Sequence, residues 1–162
     1  MAKKSKNPVP EGMHTVTVHL WFNGDCGEAV EFYEKAFGME VLETPVPTPD
    51  GKGILHALLK LGDSRIMMAD ARPGSYEQGP RKNATAGLYL YVEDCDTLYE
   101  RSVSAGCEVT QPIMDAWWGD RNGEVKDPYG HVWSIASRKL DLTPQELEER
   151  QQEWLDDLAG AG

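Results

Sequence analysis

Seven side chains of the 162-residue sequence have the types and spacing from which a binding or acid–base site is built. His19 and Trp21 stand two apart in one alternating apolar stretch, and His56 stands in another. Tyr89 and Tyr91 repeat the two-residue spacing in a third. Trp118 and Arg121 belong to the segment Trp118-Gly119-Asp120-Arg121, with Trp117 just before it. An imidazole changes charge near neutral pH, so His19 and His56 are the candidate catalytic groups, or metal ligands. Aromatic rings with polar tips suit a planar or hydrophobic small molecule. Arg121 offers a planar cation to an anionic group. Structural alternatives stand beside these: a hydrogen bond for His56, a dimer face for Tyr89 and Tyr91, a buried Asp–Arg pair for Asp120 and Arg121. Trp133 reads as core, and His14 and His131 as structural or exposed. Asp70 reads either as a general base or as a cap on the adjoining linker. There is no Gly-x-Ser-x-Gly elbow and no phosphate-binding glycine loop. Cys26, Cys95 and Cys107 form no CxxC pair, and their odd number fits core positions in a reducing cytoplasm.

The elements that must hold these residues come as an internal repeat. Phe22 to Tyr33 and Val92 to Ser102 each leave an apolar alternation, pass through Asp-Cys and enter a helical stripe. The stripes are Cys26, Ala29, Val30, Tyr33, Phe37 and Cys95, Leu98, Tyr99, Ser102, Val103, the spacing of one buried helix face. Both stop at a glycine, Gly38 or Gly106, which takes a left-handed cap without a Cβ clash. A strand succeeds each stop and runs into Pro45 or Pro112. A hairpin closes each copy: Ile54 to Leu61 with Arg65 to Asp70, and Gly123 to Lys126 with His131 to Ser137. Each copy therefore reads strand, helix, three strands.

Four segments carry a resemblance: Glu28-Ala29-Val30-Glu31-Phe32-Tyr33-Glu34-Lys35-Ala36-Phe37-Gly38, Gly62-Asp63-Ser64-Arg65-Ile66-Met67-Met68-Ala69-Asp70, Trp118-Gly119-Asp120-Arg121, and Asp127-Pro128-Tyr129-Gly130-His131-Val132-Trp133. Over about Gly12 to Lys139 the chain resembles the vicinal oxygen chelate superfamily of glyoxalases, bleomycin-resistance proteins and extradiol dioxygenases, and its PhnB-like branch in particular. The resemblance implies an α+β fold: two tandem βαβββ modules whose strands form an open, curled mixed sheet around a concave ligand cavity, often in a homodimer. The expected organisation is a disordered basic arm over 1–11 and one domain over 12–139. That domain comprises module one (12–70), a linker (71–85) and module two (86–139). An acidic helix and tail complete the chain over 140–162, announced by the capping box Thr143-Pro144-Gln145-Glu146.

Metal-using members of that superfamily place four ligands on the concave face. Here those positions fall at Ser134, at Gly87, near Met67, and near Thr17 or His19. Glycine has no donor, a thioether is soft and a serine hydroxyl is a poor ligand for a hard divalent ion. The expectation is that no cofactor and no usual metal site are present; a divalent metal at a displaced site, using His19 and His56, is the alternative. Strand alternation turns Val16, Val18, Leu20, Phe22 and Leu55, Ala57, Leu59, Leu61 to the helices. It turns Thr15, Thr17, His19, Trp21, His56, Leu58, Tyr89 and Tyr91 to the cavity, with Trp118 and Arg121 closing over it.

A net charge of −11 with no basic cluster argues against nucleic acid, because a phosphate backbone is repelled by such a surface. No apolar run reaches the roughly 20 residues of a membrane helix, and no signal core succeeds the basic start. The leading expectation is a cytoplasmic homodimer that binds a small hydrophobic or aromatic molecule. The alternatives are a metal-dependent lyase, isomerase or dioxygenase of the same superfamily, a metal-free acid–base enzyme, and a homodimeric interaction protein.

Overall fold

The two copies of the repeat fold as two matched modules. The computed structural model describes residues 2–161, and the chain divides into two compact units, one running to Asn83 and the other starting at Ala84. The first contains β1 (Val18–Phe22), α1 (Cys26–Phe37), β2 (Glu40–Pro47), β3 (Ile54–Leu61) and β4 (Ser64–Asp70). The second contains β5 (Gly87–Tyr91), α2 (Cys95–Ala105), β6 (Glu108–Asp115), β7 (Asp120–Lys126) and β8 (Val132–Arg138), and then α3 (Pro144–Gly160). Each module has one four-stranded mixed sheet, ordered β1-β4-β3-β2 or β5-β8-β7-β6. The outer pairs β1–β4 and β5–β8 are parallel and the rest antiparallel. The α+β class, the tandem βαβββ modules and the C-terminal helix are as the sequence implies.

The apolar periodicity explains the packing. Every residue of the first helical stripe is buried, and Tyr33 meets Phe22 of β1 and Phe37 of its own helix as ring pairs. Burying a side chain of this size is worth about 1.5–3 kcal/mol. The second stripe is shallower: Cys95 and Ser102 are buried, while Leu98, Tyr99 and Val103 are half-buried. Gly123 lets β7 approach α2, since a Cβ there would stand 2.7 Å from the Tyr99 ring. Gly38 caps α1 at φ 68°, where its N–H reaches the Glu34 carbonyl.

The last strand of each module also anchors the start of its helix. Asp70 accepts the backbone N–H groups of Gly24 (2.8 Å), Cys26 (3.0 Å) and Ile54 (2.8 Å). In module two Ser137 holds the matching place, accepting Cys95 N–H at 2.9 Å and donating to the Val92 carbonyl at 2.7 Å. Asp70 thus holds the start of α1 and the Ile54 backbone, neither capping the linker as expected nor standing as a free base. Pro45 and Pro112 lie in the edge strands β2 and β6, where the pairing register shifts around them.

Several sequence expectations need correction. β1 begins at Val18, so Thr15, Val16 and Thr17 precede it; Val16 is exposed, and the Thr17 hydroxyl donates to the His14 carbonyl. Leu55 is exposed and Leu58 buried, although Leu55 was expected in the core, because alternation sets which face a residue takes but not how far that face is covered. β7 starts at Asp120, three residues before the hairpin expected at Gly123. His131 is buried, while His14 is exposed. Trp133 is fully buried as expected, and its indole N–H donates to Asp127 at 2.9 Å. The capping box of α3 is formed, yet no residue of that helix is buried; Trp154 lies 6.1 Å from the Trp117 ring. Among the described residues no helix is long and apolar enough to cross a membrane.

Candidate functional site

In module one the register puts His19, Met67 and Leu58 in one row across β1, β4 and β3. Trp21 and Ala69 form the next row, and His56 lies two residues from Leu58 on the same face. This is the face away from α1, because Leu20 and Phe22 occupy the other. The His19 ring stacks on Trp21 with centroids 4.1 Å apart. His19 is exposed on this face, yet partial desolvation by its neighbours holds the imidazole below its ordinary pKa, the nearby His56 adds to this, and Glu77 opposes it. His19, Trp21 and His56 are therefore brought together, with a neutral imidazole favoured at position 19. Glu77, from the segment after β4, carries no sequence mark of its place near this group; its ion pair with Arg72 (3.0 Å) fixes it there.

In module two the organising group is Asp120, whose side chain is fully buried. Its Oδ2 accepts the Tyr91 hydroxyl at 2.8 Å, the Trp118 indole N–H at 3.0 Å and the Tyr89 hydroxyl at 3.3 Å. Its Oδ1 accepts Arg138 Nη1 at 3.2 Å. The tyrosine rings, 5.2 Å apart, remain 45% and 64% exposed for Tyr89 and Tyr91. Three aromatic side chains are thus tethered by their polar ends while two of them show much of their ring surface. Burial, with the Asp120 charge adding and Trp118 opposing, pushes the Tyr89 phenol up to about 12. The hydrogen bond to Asp120 raises Tyr91.

Arg121 does not join this group. Since β7 begins at Asp120, alternation sends Arg121 to the α2 side, and its guanidinium pairs with Asp96 at 2.7 Å and Asp115 at 3.2 Å. The expected anion-binding role, and the expected Asp120–Arg121 pair, are both replaced: Asp120 pairs with Arg138. Sequence reasoning also missed the remaining polar residues on the aromatic side of β7, Asn122 and Glu124. A strand reading Asp-Arg-Asn-Gly-Glu has no apolar alternation to announce it.

The three thiols are buried, and burial pushes Cys26 and Cys107 up to about 12, which leaves them without nucleophilic character. Of the positions that the superfamily's metal ligands would occupy, only His19 carries a good donor. Met67 faces it across β1–β4, Gly87 has no side chain, and the Ser134 hydroxyl points to Glu124 at 3.4 Å. This set does not fit a divalent ion that wants imidazole and carboxylate. Among the described residues no group of three or more His, Cys, Asp or Glu side chains stands together as a possible metal cage.

Comparison with known proteins agrees with this architecture. Residues 14–135 match the family model of the Glyoxalase/Bleomycin resistance protein/Dioxygenase superfamily. An uncharacterized protein of Mycobacterium bovis, Mb0911c, is 34% identical over 129 residues, covering 76% of this chain and 84% of its own. The crystal structure of TioX from Micromonospora sp. ML1 superposes with a TM-score of 0.61 at 28% identity, covering 77% of this chain and 98% of TioX. The PhnB protein from Bacillus cereus gives the same TM-score at 18% identity over 76% of this chain and 99% of its own, a likeness of fold alone. With its repeat, its two βαβββ modules and a family match over most of its length, the chain belongs to the glyoxalase, bleomycin resistance protein and dioxygenase superfamily.

Proposed function

We propose that this protein binds a small planar hydrophobic or aromatic molecule on the aromatic sheet faces of its modules, and that it does so without the superfamily's usual divalent metal. The observation that carries this reading is the Asp120-tethered set of Tyr89, Tyr91 and Trp118. Ordering a flexible side chain costs about 0.5–1.5 kcal/mol on binding, and rings already held by hydrogen bonds avoid most of that cost. The stacked His19–Trp21 pair gives module one a comparable surface. Arg121 has its charge met by Asp96 and Asp115, so no anionic group is needed on the ligand. A reducing cytoplasm suits the three free thiols.

The test is quenching of tryptophan fluorescence by a planar probe such as acridine. Quenching should saturate in the parent and weaken sharply in Trp21→Ala or Trp118→Ala. If both variants bind as the parent does, the faces are misassigned. A second reading, a metal-free acid–base enzyme, is favoured by one observation, the placement of His19 and His56 on the same face of one sheet. It requires that His19→Ala abolish turnover of some substrate while the fold stays intact.

A further inference from the structure

On the aromatic face of module two, β7 presents Asp120, Asn122 and Glu124 in succession. The two carboxylates already hold donors: Asp120 those described above, Glu124 the Thr110 hydroxyl at 2.8 Å and the Ser134 hydroxyl at 3.4 Å. Asn122 differs. It is 4% exposed, its Oδ1 is buried, and no donor among the described residues reaches that oxygen. Its row across the sheet is Tyr91, Ala136, Asn122 and Met114. The single methyl of Ala136 separates it from the exposed Tyr91 ring. Met114 on the other side is also exposed, and an unbranched thioether turns aside at little cost.

A buried acceptor left unmade weakens a fold, and a leucine of similar shape would remove that penalty. Positions where a local rule is broken in this way tend to be functional. We propose that Asn122 anchors the ligand: its Oδ1 accepts an N–H or O–H from a planar aromatic molecule lying against Tyr91. This rests on the binding function above and narrows its ligand class to aromatics that carry a hydrogen-bond donor at the ring edge. Neighbouring Asp120 and Glu124 add acceptor character on both sides, which disfavours an anionic ring substituent there.

Indole and benzofuran test this directly, since they share a shape and differ in a single ring N–H. Each is titrated into the full-length ¹⁵N-labelled protein while the amide shifts of Tyr91, Asn122 and Ala136 are followed. Indole should bind about fivefold tighter than benzofuran, the value of one net hydrogen bond. Asn122→Leu should abolish that preference and raise the thermal midpoint of the free protein. Equal affinities in the parent overturn the anchor while leaving aromatic binding intact, whether or not the variant folds. A preference that survives in Asn122→Leu, or a lowered midpoint in that variant, also overturns it. No shift with either probe overturns both the anchor and the binding function it rests on.

Discussion

Replacing Asp120 is the perturbation with the largest consequence that the geometry allows. Two of its four bonds are short, to the Tyr91 hydroxyl (2.8 Å) and the Trp118 indole N–H (3.0 Å). Hydrogen bonds to a charged group are worth about 1.5–3 kcal/mol each. The other two are longer, and Arg138 is exposed enough to regain water when its partner is lost. Asp120→Ala should therefore destabilise module two by about 3–5 kcal/mol, within the range for breaking a buried ion pair. For a chain of this length each kcal/mol moves the thermal midpoint by about 2–4 °C, so the midpoint should fall by roughly 10 °C. Asp120→Asn keeps an acceptor toward the aromatic groups and should cost only about 1–2 kcal/mol. Urea unfolding monitored by tryptophan fluorescence measures both. The tyrosine titration gives a second readout. Tyr89 ionises near 12 and Tyr91 above its usual value, so the native state prefers the protonated phenols. Their contribution to stability is complete below about pH 10 and is lost as pH climbs through the folded values. In Asp120→Asn the tyrosinate absorbance of Tyr91 should move back toward about pH 10. An alanine variant within about 1 kcal/mol of the parent, or an asparagine variant as damaging as alanine, would refute the central role given to this carboxylate.

Two further outcomes come from the site geometry. His19 should titrate below 6.5 by NMR, so its neutral form supports the fold above that pH and the support fades as pH falls through the lowered folded value. His56→Ala should raise that midpoint and Glu77→Gln should lower it; a midpoint above 6.5 in the parent contradicts the surroundings assigned to this imidazole. The thiols of Cys26, Cys95 and Cys107 should resist a disulfide reagent in the native protein and all react after denaturation. Prompt native reaction would show that at least one lies nearer the surface than it does here.

How far the sequence alone reaches depends on which physical signal each element carries. The α1 stripe and Gly38 were legible because apolar spacing and a left-handed cap leave direct marks on residue type. The β3–β4 hairpin was legible for the same reason, with its turn at Gly62-Asp63. β7 was not. Its residues on the aromatic face are Asp120, Asn122 and Glu124, and a polar strand gives no alternation to read. Treating its first residues as loop put Arg121 on the wrong face, since a strand reverses its side chains at every step. A buried ion pair was expected for Asp120, but its arginine is Arg138 and not Arg121, and its hold on Tyr89, Tyr91 and Trp118 comes from partners brought to it by the fold. The shared sheet face of His19, Trp21 and His56 was legible because β1 and β3 are ordinary apolar strands. Asp70 illustrates a further limit: a capping role was favoured over a general base, but only the fold shows that it caps Gly24, Cys26 and Ile54 and not the linker.

Metal-free aromatic binding, as proposed, rests in part on Met67, Gly87 and Ser134 standing where three of the superfamily's usual metal ligands would be. Elemental analysis of the purified full-length protein, after dialysis without chelator, bears on this most directly. Only trace, substoichiometric transition metal is expected. About one Zn, Ni, Mn or Fe per chain, removed by His19→Ala, would contradict it.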